Sequence, residues 1–126
     1  MATVFVAYAS SNSFQSDLIQ KACESASTPQ RKVVPWSALD TSGGAIAKSV
    51  EGWIEDADTV VADVSVVNAN VTYELGYAIG SGKSIRLIRS THVDFGPVKD
   101  VGLLDTLGYD GYDLALTRAV ADAVSV

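Results

Sequence analysis

Asp63, Ser65, Asn68, Asn70 and Glu74 fall within twelve consecutive positions of the 126-residue sequence. A carboxylate kept from bulk water can act as nucleophile, acid or base, or can stabilise a developing cation. Hydroxyls and amides beside it can orient the hydroxyl or phosphate groups of a ligand. The stretch VADVSVVNANVTYELGYAIGSGKSIRLI, residues 61–88, places these groups between an apolar run and a glycine-containing helical pattern. Glu74 is the leading chemical candidate. Asp63 ends the apolar run and is expected to face the same crevice; Asp40 is the next acid to consider. If Asn70 caps the helix, Glu74 lies just past its first turn. The helix dipole then favours the anion by ~0.3–1 kcal/mol, and burial pushes the other way.

These groups need a scaffold to hold them. Residues 3–8 (TVFVAY) read as a strand, ended by the polar cluster 10–13. From Phe14 the pattern is helical, with Phe14, Leu18, Ala22 and Ala26 on one face and Ser11 or Ser13 as cap. Pro29 stops that helix. Residues 32–36 (KVVPW) form a short second strand, and Pro35 puts it at a sheet edge. Beyond the loop 37–44, Ile46, Val50, Trp53 and Ile54 mark one helix face. Residues 58–64 (DTVVADV) suit a strand buried on both faces. A loop over 65–70 leads into a helix over 71–81, with Gly82 near the left-handed position after its end. Strands over 84–88 and 107–112 and a helix over 114–124 complete the pattern, with 90–105 irregular. Gly76 and Gly80, four apart on one helix face, are expected to allow close packing. Cys23 is expected in the core.

The alternation predicts an α/β, doubly wound, flavodoxin-like three-layer fold in one domain, residues 1–126. Its parallel sheet has about five strands in the order 2-1-3-4-5. Ligands of such sheets bind beyond the carboxyl ends of the strands, where the order reverses. Here that point lies between strands one and three, facing loops 9–13 and 65–70 and flanked by 37–44. Tyr8, Ser10, Ser11, Trp36, Asp40, Gly43, Ser65, Asn68, Asn70 and Tyr73 are therefore the candidate ligand-binding residues. Their hydroxyls and amides could hydrogen-bond a polar ligand, and Tyr8, Tyr73 and Trp36 could stack on a flat one.

Composition narrows the field. Nine basic residues against fifteen acidic give a formal charge of −6, and the basic residues are scattered. A nucleic-acid polymer is not an expected partner; a single nucleotide is allowed, because a helix N-terminus can hold a phosphate. With one cysteine, Cys23, and one histidine, His92, neither an internal disulfide nor a Cys- or His-based metal site is expected. No metal or cofactor is expected. No leader or bilayer-length apolar stretch stands out, so a cytoplasmic protein without a membrane partner is expected.

Tyr73-Glu74-Leu75-Gly76-Tyr77-Ala78, followed by Gly82-Lys83, resembles the signature of the nucleoside 2-deoxyribosyltransferase-like and TIR-like superfamily. Residues 4–11 (VFVAYASS) resemble the first strand and loop of TIR-like domains. Trp36, Leu39-Asp40 and Gly43-Gly44 resemble the loop after their second strand. The resemblance covers most of residues 3–88. It implies a TIR-like variant of the doubly wound fold. It also implies that Glu74 acts on the ribose of a nucleoside, nucleotide or NAD, as nucleophile or ion-pair partner when the N-glycosidic bond breaks. Asp63 would then help the base leave. The family's acidic residue and Gly-Thr step before the helix are replaced by Asn68-Ala69-Asn70-Val71-Thr72. That favours a TIR-like or nucleotide-hydrolase branch over a strict deoxyribosyltransferase.

Three readings follow. The first is a glycosidase or transferase acting on an N-glycosidic bond, with NAD among its candidate substrates. The second is a non-catalytic nucleotide-binding sensor. The third is a TIR-like self-assembly domain. Relatives usually associate, so a homo-oligomer is expected.

Overall fold

The computed structural model describes residues 2–9, 13–36, 46–65, 68–91, 108–113 and 117–125. The elements run β1 (Ala2–Ala7), α1 (Ser13–Ala26), β2 (Arg31–Pro35), α2 (Ile46–Asp56), β3 (Thr59–Asp63), α3 (Ala69–Gly80), β4 (Ser84–Ser90), β5 (Tyr109–Tyr112) and α4 (Thr117–Val124). Every strand pairing is parallel, and the order is β2-β1-β3-β4-β5. The doubly wound architecture expected from the alternation is the one observed.

Successive strand side chains point to opposite faces, and this divides the core in two. On one face Val4, Val6, Val33, Val61 and Ile88 pack with Leu18, Ile19, Ala22 and Cys23 of α1 and Val120 and Val124 of α4. On the other, Phe5, Ala7, Val34, Val60, Ala62 and Leu87 pack with Val50 and Ile54 of α2 and Leu75 and Ala78 of α3. The layers are therefore α1 and α4, the sheet, then α2 and α3. Central β3 is covered on both sides, which is why its sequence is an unbroken apolar run. Pro35, which lacks an N–H, lies on the edge strand β2, where no ladder bond is lost. Cys23 is buried, and burial, with a smaller push from Glu24, raises its thiol to about 12. No helix among the described residues is long and apolar enough to cross a membrane.

Phe14 departs from the sequence expectation. Leu18, Ala22 and Ala26 of its stripe are buried, but Phe14 is 64% exposed. As the crossover from β1 to the parallel β2, α1 runs back across the sheet from the carboxyl end of β1. Its first turn lies at that end, where Gln15 bonds Asp63 and Tyr112, the last residues of β3 and β5, while Phe14 stays exposed.

Both ends of α3 are built by specific bonds. The Val71 N–H donates to Asn68 Oδ1 at 2.9 Å, so Asn68 is the cap. Asn70, the expected cap, is an exposed residue of the first turn. At the other end Lys83 N–H bonds Ala78 O and Gly82 N–H bonds Ile79 O, each at 3.1 Å. This paired pattern stops a helix at a left-handed residue, and Gly82 has φ of +73°. Gly76 and Gly80 do not mediate the expected close packing, since a Cβ added at either would meet nothing within 4 Å. Gly82→Ala is therefore expected to cost about 1 kcal/mol, whereas Gly76→Ala is expected to add up to about 1 kcal/mol. Urea unfolding midpoints would show the two shifts in opposite directions.

Candidate functional site around Glu74

The buried residues of α3 are Val71, Glu74, Leu75 and Ala78. Their spacing makes the stripe that seats the helix on the sheet, and one member of the stripe is a carboxylic acid. Glu74 is only 6% exposed. Its Oε2 is buried without a hydrogen-bond partner among the described residues. Burial pushes the carboxyl from its ordinary 4.5 to about 7. The cap explains why burial prevails. With Asn68 at the cap, Glu74 is six positions into the helix, beyond the first turn in which the dipole supports an anion. An unpaired carboxyl in a packing position weakens the fold. Such a group, near half ionisation at neutral pH, has the character of a reactive residue.

Asp63 is buried too, but its surroundings are different. Oδ1 accepts the Ser65 N–H at 2.8 Å, and Oδ2 accepts from Gln15 Nε2 at 3.0 Å and from the Tyr112 hydroxyl. The Ser65 hydroxyl accepts the Ser90 N–H at 2.7 Å and lies 3.3 Å from the Tyr112 oxygen. Burial raises the Asp63 carboxyl, and the donors from Ser65, Tyr112 and Gln15 pull it back. The Tyr112 hydroxyl is raised by burial and by the neighbouring Asp63 charge.

Asp63, expected to share a crevice with Glu74, stands in a bonded network of its own. By the strand alternation, Asp63 follows Val61 onto the side of α1 and α4, whereas α3 packs on the opposite side. Asp63 and Ser65 form a hub tying α1, β3, β4 and β5 together at the carboxyl end of the sheet. Gln15, Ser90 and Tyr112, its other members, were not marked by any local sequence pattern.

The aromatic candidates separate as well. Trp36 follows β2 and packs against both core clusters. Its ring centroid is 6.0 Å from that of the buried Tyr8, the planes inclined by 50°. The Trp36 Nε1 is buried and has no hydrogen-bond partner among the described residues. Tyr73 is 45% exposed. Its hydroxyl donates to Glu51 of α2, and its ring stacks on Tyr77 at 6.2 Å. Tyr73 therefore belongs to the outer seam between α2 and α3 and does not join the buried group around Glu74. Asn68 is occupied as the cap, and Ser65 belongs to the Asp63 hub. Ser10, Ser11, Asp40 and Gly43 lie outside the described residues. Tyr8 and Trp36 thus follow β1 and β2 at their carboxyl ends, and Asn68 begins the helix after β3 that carries Glu74 six positions on.

No protein-family profile matches this sequence, and no curated protein matches it significantly. Among solved structures the chain is similar to the CMP N-glycosidase BcmB of Clostridium botulinum. The identity is 20% over 98% of this chain and 99% of that one, with a TM-score of 0.58. It is also similar to Smu.1420 of Streptococcus mutans UA159, at 12% identity over 98% of each chain, with a TM-score of 0.53. At these identities the likeness is one of fold, and it extends over essentially the full length of each chain.

Proposed function

We propose that the protein breaks the N-glycosidic bond of a nucleotide or nucleoside, releasing or transferring the sugar, with Glu74 as the reacting carboxylate. The observation that carries this reading is the buried Glu74 carboxyl on the sheet-facing stripe of α3, its Oε2 without a partner among the described residues. Three further points support it. The Tyr73–Ala78 segment resembles the deoxyribosyltransferase-like signature. The helix that carries Glu74 starts from the carboxyl end of β3, beside β1, where the strand order reverses. The fold is shared end to end with a protein described as a CMP N-glycosidase.

In this mechanism the C1′–N bond breaks and its electron pair leaves with the base, which takes up a proton. Positive charge builds on C1′ and the ring oxygen. Ionised Glu74 stabilises that charge or bonds to C1′. Water then adds hydroxide to C1′ and gives up a proton, or an acceptor base takes the sugar in its place; where Glu74 has bonded to C1′, that bond breaks in this step and the carboxylate is restored. Removing the carboxyl from water strengthens its attraction for the developing cation. Its shift to about 7 keeps a substantial anionic fraction at neutral pH while making that anion more basic.

The test is chromatographic. Purified protein is incubated with the ribonucleoside and deoxyribonucleoside monophosphates, the free nucleosides and NAD. Free base is expected from at least one of the monophosphates. Release from none of the panel at high protein concentration would end the enzymatic reading, and binding without turnover would leave a nucleotide-binding module.

A further inference from the structure

We propose that Trp36 recognises the heterocyclic base of the ligand by donating its indole N–H to an acceptor on the edge of the ring, and not by stacking. The proposal rests on the reading of the site given above and adds to it the means by which the base is held.

Much of the Trp36 side chain is already engaged. The Tyr8 ring lies 6.0 Å away, its plane inclined by 50°, and both core clusters pack against the partly buried indole. The polar edge differs: Nε1 is buried with no partner among the described residues. A buried indole N–H ordinarily finds an acceptor, and one without a partner weakens the free protein. Phenylalanine would fill most of the same space without that cost. A donor kept in this state is suited to an acceptor that arrives with the ligand.

The position agrees. Pro35 pairs with Val6 in register, so Trp36 stands beside Ala7, the last residue of β1. That is the flank of the reversal point between β1 and β3. Glu74 Oε2, on the helix that follows β3, is a second buried polar atom without a partner among the described residues. An orphaned donor beyond β2 and an orphaned acceptor beyond β3 thus border the same end of the sheet. Sugar chemistry at Glu74 puts the base some ångströms from the carboxyl.

The chemistry selects the base over the phosphate. A phosphate is held by several donors or by positive charge. A single neutral N–H between an aromatic neighbour and apolar side chains matches a ring nitrogen or carbonyl oxygen of a flat heterocycle. A site that hydrogen-bonds its ligand in this way rejects analogues lacking the acceptor, because the donor is left unpaired again.

The chain contains two tryptophans, Trp36 and Trp53, so its 15N-indole spectrum has two signals, and Trp36→Phe identifies which is which. The Glu74→Gln protein, used to prevent turnover, is titrated with each ribonucleoside monophosphate and separately with ribose 5-phosphate, which lacks the base. The Trp36 signal is expected to move downfield with a nucleotide and to stay with ribose 5-phosphate. Adding Trp36→Phe is expected to weaken nucleotide binding about tenfold or more by calorimetry, with the melting temperature of the free protein unchanged or higher. A structural role alone would lower the melting temperature and leave affinity intact. Nucleotide binding with an unmoved Trp36 signal and an unchanged Kd would overturn the proposal and leave the glycosidase reading standing. No binding of any nucleotide to this protein, together with no base release by the parent, would remove both.

Discussion

Glu74→Gln is expected to yield a protein that is inactive in base release and, at alkaline pH, more stable than its parent. Glutamine keeps the size and shape of the protonated acid, so the stripe formed with Val71, Leu75 and Ala78 should remain packed. It cannot carry the negative charge that the transition state requires. The rate of base release should fall by at least about a thousandfold. The stability change follows from where Glu74 binds its proton. Its carboxyl titrates at about 7 in the folded chain against 4.5 ordinarily, so between these values the folded state holds more protons than the unfolded one. Stability from this group is fully present below about pH 4.5, is lost as the pH rises to about 7, and is constant beyond that. At about 1.4 kcal/mol per pH unit, the parent loses on the order of 3 kcal/mol over that window relative to the glutamine variant. Urea unfolding of both proteins at about pH 4 and about pH 8 would measure it. A large loss of activity together with a gain in alkaline stability marks a functional group, because a structural residue would lose both.

Asp63→Ala is expected to act in the opposite sense, through the fold. The substitution would strand the Gln15 amide, the Tyr112 hydroxyl and the Ser65 N–H, all of which donate to Asp63 in a buried setting. Each stranded donor costs about 1–3 kcal/mol before relaxation, so a total loss of about 3 kcal/mol or more is expected. Tyr112→Phe removes one hydroxyl and leaves the ring, and should cost about 1 kcal/mol. Denaturant midpoints give both values. An Asp63→Ala protein as stable as the parent, but inactive, would return Asp63 to the reaction itself. The hub also has a local consequence. Only residues 66 and 67 separate Ser65 from Asn68, the cap of α3. A loosened Ser65 would therefore loosen the seat of the helix that carries Glu74.

The sequence patterns predicted the sheet order because each strand announces itself by what it buries. The continuous run ending in Asp63 is central and covered on both faces; the proline-containing run is an edge. Glycine after Ser81 marked the end of α3 because that position needs a left-handed backbone. Periodicity groups Phe14 with Leu18 on one apolar stripe but cannot show how far the covered part of the helix extends, and Phe14 is exposed. Asn68 and Asn70 are both competent caps, and only the backbone path decides which one meets the Val71 N–H. The network around Asp63 is not legible in the sequence because its partners are remote: Gln15 is 48 positions away and Tyr112 is 49. No local pattern reveals that they converge. Glu74 was legible through resemblance to a family signature. Its burial, and an Oε2 without a partner among the described residues, give it chemical weight and are properties of the folded chain.

The central claim is that one buried carboxyl, Glu74, must be ionised to break a glycosidic bond. It is tested most directly by the pH dependence of kcat/KM for base release from the monophosphate that the protein prefers. The profile is expected to rise with unit slope up to about pH 7, level off above it, and vanish in Glu74→Gln. A rate that is flat from about pH 5 to about pH 9, or that survives in Glu74→Gln, would contradict it.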